Sequence, residues 1–165
     1  MYKGLFFLFV APLFLFSQNG VGCSGITISS ATNNGIHTVF SYDESAGVRN
    51  GPDYYGSTLY CPENTVGLLP SIIIIPGYAN PEISIQSWGP FLASHGIVCM
   101  TIGTNSVFDL VDARRDALKD ALISLKLEAS RTSSFLYNKL DTSLIQEIVH
   151  SRVTCVEETR VRLHS

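Results

Sequence analysis

The run Ser71–Ala79, Ser-Ile-Ile-Ile-Ile-Pro-Gly-Tyr-Ala, limits the folds open to this chain more than any other stretch. Four consecutive isoleucines are too few for a helix and too apolar for a strand with one wet face. They predict a strand buried on both faces, of the kind found inside a parallel sheet. Pro76 ends the ladder because it has no N–H to donate, and Gly77 permits a tight turn. Open α/β sheets bind ligands at the carboxyl ends of such strands. The turn at Gly77 is therefore the expected centre of any site.

The flanking segments alternate in type. His37–Tyr42 is β-branched and aromatic and predicts a first strand; Asp43–Tyr55 is rich in turn residues; Ser57–Tyr60 predicts a second strand. After the isoleucines, Pro90 suits the first turn of a helix that carries Phe91 and Leu92 and stops at Gly96. Ile97–Ile102 is a further buried strand. Val111–Glu128 is the clearest helix, with Val111, Leu118, Leu122 and Leu125 on one face and Ala121 beside them. Arg114, Arg115, Lys119 and Asp120 are expected to lie away from that face, and Asp109 or Asp112 to cap the helix start. Two short strands followed by strand, helix, strand and helix predict an α/β fold in which an antiparallel start feeds a parallel sheet with flanking helices.

A chain of 165 residues predicts one domain. Its net charge of −3, without a basic run, excludes nucleic acid as a partner. Lys3 followed by the apolar stretch Leu5–Phe16 is too short to cross a bilayer as a helix. It fits a signal peptide over 1–22, followed by a loose linker over 23–36, and so a secreted protein. A buried core helix is the alternative for the apolar stretch. Small residues before Cys23 also allow a lipid anchor there, although Gly20 stands where such signals carry leucine. Signal peptide or lipid anchor is the one expected membrane contact. Export would place Cys23, Cys61, Cys99 and Cys155 in an oxidising compartment. Their wide spacing and the lack of a Cys/His cluster disfavour zinc. Cys99, inside an apolar run, reads as a small buried hydrophobe.

Thr58-Leu-Tyr-Cys-Pro62, Ile72-Ile-Ile-Ile-Pro-Gly-Tyr78 and Ser87-Trp-Gly-Pro-Phe-Leu-Ala-Ser-His-Gly96 closely resemble the PET-hydrolase/cutinase-like polyesterases, and so do Thr101-Ile-Gly-Thr-Asn-Ser106 and Tyr137-Asn-Lys-Leu-Asp-Thr142. These are secreted α/β-hydrolases related to dienelactone hydrolases. The resemblance covers roughly 37–142. It implies the N-terminal half of an α/β-hydrolase fold and a serine carboxylic-ester hydrolase acting on an ester or polyester, with no metal or organic cofactor. It also places Tyr78 at the position whose backbone N–H contributes to the oxyanion hole. Trp88 and His95 match family positions expected to be structural.

Beyond Thr142 the pattern changes. The family's next strand leads into Gly-x-Ser-x-Gly, and counting from Asp141-Thr142 puts that serine at Ser151. Valines 149 and 153 stand where the glycines should be, and a β-branched residue is poorly suited to a strained elbow. Gln146 and Glu147 fall in what should be a buried strand, where an unpaired charge is costly. No residue matches the family's catalytic aspartate or histidine; His150 and His164 stand in no such motif. The expected organisation is a partial α/β-hydrolase domain over 37–145 and a divergent tail over 146–165, truncated around the nucleophile elbow. Such a chain is expected to be inactive as it stands. The alternative is a non-catalytic secreted remnant or binding protein.

Overall fold

A computed structural model of the chain describes residues 32–150, and for 148–150 the backbone alone. The apolar stretch 5–16, Cys23, Cys155 and Ser151 lie outside the described residues. The strands are β1 (Val39–Asp43), β2 (Tyr54–Pro62), β3 (Leu69–Pro76), β4 (Val98–Thr104) and β5 (Leu140–His150); the helices are α1 (Trp88–Ser94) and α2 (Val111–Ser130). Short 3₁₀ turns cover Glu44–Ala46 and Glu82–Ser84.

The sheet has the order β1-β2-β4-β3-β5. β1 and β2 pair antiparallel, as do β2 and β4, whereas β3 is parallel to both β4 and β5. This is the expected antiparallel start feeding a parallel sheet, with β3 flanked by a parallel partner on each side. Alternation along β3 explains why four isoleucines were needed. Ile73 and Ile75 join Leu59, Met100, Ile102, Leu118, Ala121 and Leu125 in one core. Ile74, with Ile72 against it, joins Tyr60, Ile85, Ala93 and Cys99 in the other. The second core holds residues of α1 and the first holds residues of α2, so the helices cover opposite faces of the sheet.

β2 is longer than Ser57–Tyr60 because Tyr54 and Tyr55 also pair, opposite Thr104 and Gly103. A bulge between Tyr55 and Ser57 absorbs Gly56, whose φ of 72° suits a residue without Cβ. At Gly103 an added Cβ would sit 2.2 Å from the Tyr55 carbonyl oxygen, so the strands can approach closely there only with glycine.

Helix α2 corrects the expected placement of charge. Arg114 and Asp120 are buried at 4% and 5% exposure, on the stripe that also carries Ala117, Leu118, Ala121, Ser124, Leu125 and Glu128. Val111 belongs to that stripe by spacing but is exposed. No aspartate caps the helix: Leu110 is the N-cap residue, and the Asp109 carboxylate instead accepts the Ser106 N–H at 3.0 Å. Each buried charge has partners. Arg49 donates to the Asp120 carboxylate at 2.6 Å and to the Ser124 hydroxyl at 2.7 Å. Arg131 donates to Glu128 at 2.6 Å, and Ser134 does the same at 2.6 Å.

β5 fills the place beside β3, with Ile72 opposite Gln146, Ile73 opposite Glu147 and Pro76 opposite His150. Gln146 and Glu147 do not burden a buried strand. β5 is the outermost strand among the described residues, and both side chains are exposed. Partial desolvation still raises the Glu147 carboxyl above its ordinary range, against the lowering pull of Lys126 and Lys119.

Cys61 and Cys99 are both buried and free, and they belong to the two different cores. The sheet separates them, so they are not partners in a disulfide, and Cys99 is the small buried hydrophobe its sequence context suggested.

Candidate functional site

The connections of the sheet fix where a site can form. β3 leads into α1 on one face, and β4, its parallel neighbour, leads into α2 on the other. Chains leaving adjacent strands in opposite directions open a crevice at their carboxyl ends. Two loops border it: 77–87 after β3 and 105–110 after β4.

The first loop begins with a turn. The Asn80 N–H donates to the Gly77 carbonyl at 3.1 Å, and the Asn80 side chain donates to the Tyr78 carbonyl at 2.9 Å. Its left-handed residue is Ala79, with φ at 59°, in the third position of the turn. Positive φ there is the mark of a type II turn, in which the second residue keeps negative φ. Gly77, expected to supply the conformational freedom, is instead buried beneath the turn. Among the described residues the Tyr78 N–H meets no acceptor. The Tyr78 ring is 59% exposed and packs edge-on against Phe108 of the second loop, with centroids 5.9 Å apart.

Hydrogen bonds from the backbone and from the Arg114 side chain also tie the two loops together. The Ala79 N–H donates to the Val107 carbonyl at 2.7 Å. From the first turn of α2, the Arg114 guanidinium donates through Nη1 to the Pro76 carbonyl, through Nη2 to the Val107 carbonyl at 3.0 Å and through Nε to the Asp109 carbonyl at 2.9 Å. Burial lowers the Arg114 pKa, and the nearby Asp109 charge opposes that shift. An ordinary value far above neutrality keeps the guanidinium charged all the same. Sequence reasoning missed Arg114 by equating charge with exposure. The available signal was its spacing four residues before Leu118, on the apolar stripe.

Beside the turn lies a cleft of about 360 Å³ lined by Tyr55, Pro81, Glu82, Ile83, Gln86, Thr104 and Val107. Thr104 Oγ1 is buried there without a hydrogen-bond partner among the described residues. Glu82 accepts from the Thr101 hydroxyl at 2.7 Å, which holds the loop after Pro81 onto β4. Tyr55, Tyr78, Ile83, Phe108, Leu110 and Val111 are all exposed, so this end of the sheet presents an apolar rim. Such a surface favours an apolar ligand over a charged one.

Trp88 starts α1 and stacks edge-on with Phe91, which in turn meets the His95 ring at 4.9 Å. His95 ends α1, and a helix that crosses from β3 to the parallel β4 must finish at the amino end of the sheet. It therefore lies away from the Tyr78 turn, as expected for a residue that is not the catalytic base. The pairing of Pro76 with His150 brings β5 level with the end of β3. Ser151 follows next in the chain. Among the described residues no cluster of His, Cys, Asp and Glu could hold a metal ion.

A family model described as PET hydrolase-like matches residues 22–154. Lipase 1 of Moraxella sp. (strain TA144) is 38% identical over 101 residues, which cover 60% of this chain and 31% of that lipase. Cutinase est1 of Thermobifida alba is 37% identical over 115 residues, 68% of this chain and 37% of the cutinase. Cutinase cut1 of Thermobifida fusca is 36% identical over the same length, with 34% of that protein covered. The chain thus spans about a third of the length of these relatives.

Proposed function

Because the chain belongs to the PET hydrolase-like family, we propose that it forms the oxyanion-hole portion of a secreted serine carboxylic-ester hydrolase, acting on an ester or polyester. In that reaction a serine Oγ bonds to the ester carbonyl carbon while its proton passes to a base. The proton then moves to the leaving alkoxide, which departs as an alcohol, and water hydrolyses the remaining acyl-enzyme. The Tyr78 N–H is the donor for the oxyanion that develops on the carbonyl oxygen. The observation that carries this reading is the unengaged Tyr78 amide at the crevice between β3 and β4, on a turn closed by Asn80 and bonded to Val107. The apolar rim formed by Tyr55, Tyr78, Ile83 and Phe108 supports an apolar acyl or aryl group as the bound part. The apolar stretch after Lys3 supports export.

The nucleophile position is Ser151, which the count from Thr142 reaches and which follows the strand paired with β3. No acidic or histidine partner in the 165 residues matches the family's remaining catalytic groups. We therefore propose that this chain alone turns over no ester. The test is hydrolysis of a short-chain chromogenic ester by the purified chain and by its Ser151→Ala variant. Equal, buffer-level rates are expected. Turnover that the substitution abolishes would overturn the proposed inactivity and establish Ser151 as the nucleophile. Turnover unchanged by the substitution would place the chemistry at another residue and overturn the assignment of Ser151.

A further inference from the structure

We infer that Arg114 is the positioning residue of the oxyanion-binding turn, a side chain whose hydrogen bonds hold the end of β3 and the loop after β4 in one arrangement. The inference rests on the reading of Tyr78 as an oxyanion donor, but its geometry stands apart from any turnover. Arg114 is almost fully buried, and no carboxylate lies within ion-pair distance of it among the described residues. A buried cation without a counter-ion is costly unless its donors are satisfied. Here satisfaction comes from carbonyl oxygens of Pro76, the last residue of β3, and of Val107 and Asp109 in the loop after β4.

The direction of these bonds is what matters for the site. Pro76 immediately precedes Gly77 and Tyr78, and its carbonyl is drawn inward toward α2. With that peptide fixed, the following turn is set in register, and the Tyr78 N–H is left without an internal acceptor. Val107 is shared: its carbonyl accepts both the Arg114 guanidinium and the Ala79 N–H, so the cation clamps the bond that joins the loops. An arginine can do this because its planar fork serves several acceptors at once; lysine has a point charge and would satisfy fewer of them. Preorganised donors lower a barrier because they need no rearrangement when charge develops, and the guanidinium supplies that preorganisation here.

The test is amide hydrogen exchange on the isotope-labelled, full 165-residue chain, with Arg114→Gln and Arg114→Lys compared with Arg49→Gln, a partly exposed cation before β2 that pairs with Asp120 of α2. Arg114→Gln is expected to speed exchange of the Ala79 amide by about tenfold or more relative to core amides such as Met100, and to move the Tyr78 amide resonance. Arg114→Lys should restore part of the protection, and Arg49→Gln should leave Ala79 and Tyr78 unchanged. Exchange that rises equally across the whole sheet, or Ala79 and Tyr78 amides that do not respond, would overturn the inference. In the unmodified chain the Arg114 Nε–H should exchange far more slowly than that of the exposed Arg115; equal rates would overturn it even if Arg114→Gln does not fold. A chain that hydrolyses no ester changes none of these outcomes, so the positioning role and the esterase reading can fail separately.

Discussion

Raising the pH from 8 to 10 should cost this fold about 3 kcal/mol through two thiols alone. Cys61 and Cys99 are fully buried, one on each face of the sheet. Burial is the largest cause that pushes each thiol from its ordinary 9.0 up to about 12. The folded chain therefore keeps both protons at pH 10 while the unfolded chain sheds them. A group whose folded pKa is raised contributes stability that is full below its unfolded value and lost as pH climbs toward the folded one. A pH of 10 lies one unit above the thiols' ordinary 9.0, which favours the unfolded chain by about 1–2 kcal/mol per cysteine. Tyr42, Tyr54 and Tyr60 are also raised, by burial first, and add in the same sense above pH 10. The assay is urea unfolding at both pH values, comparing the chain with its Cys61→Ala, Cys99→Ala double variant. The double variant should lose less stability between pH 8 and pH 10, by about 3 kcal/mol. The same alkaline loss in both proteins would refute the claim that both faces of the sheet are dry.

Two substitutions test the packing around the site. Asp120→Ala removes the partner of Arg49 and of the Asp53 N–H, which donates to it at 3.0 Å. Because Arg49 is partly exposed and keeps its Ser124 bond, the cost should be about 2–3 kcal/mol, read as a lowered melting temperature. Gly89→Ala would bring a Cβ to 2.2 Å from the buried Tyr60 ring, lifting α1 off β2. The expected loss is about 1–3 kcal/mol, and a variant as stable as the parent in thermal unfolding would contradict the contact.

Much of the sheet was legible because the chain states it in period-two patterns and apolar runs. Ile72–Ile75 could only be a two-sided strand, and its turn could only lie at the crevice. What sequence patterns could not reveal was which polar side chains turn inward. Arg114 and Asp120 look like solvent-facing charges on an amphipathic helix, yet each has a partner distant in sequence: Pro76 at the end of β3 for one, Arg49 and Asp53 for the other. Hydrogen bonds of that kind leave no periodicity. The same limit explains Gln146 and Glu147: composition marks them as intruders in a buried strand, whereas position in the sheet decides whether they are wet. Ala79 shows a different limit: the turn was expected from Gly77, yet the residue with positive φ is the alanine two positions on.

The central claim is that the Tyr78 backbone amide binds a developing oxyanion. It is tested most directly in a chimera of the Thermobifida alba cutinase est1 whose matched 115-residue segment is replaced by that of this chain. Tyr78→Pro deletes the N–H while suiting the second position of a type II turn, and Tyr78→Ala keeps the N–H but removes the ring. The chimera should hydrolyse a chromogenic ester. Tyr78→Pro should lower kcat by about 10²–10³ with KM little changed, and Tyr78→Ala should lose far less. A chimera without turnover, or a proline variant as fast as the alanine variant, would contradict the account.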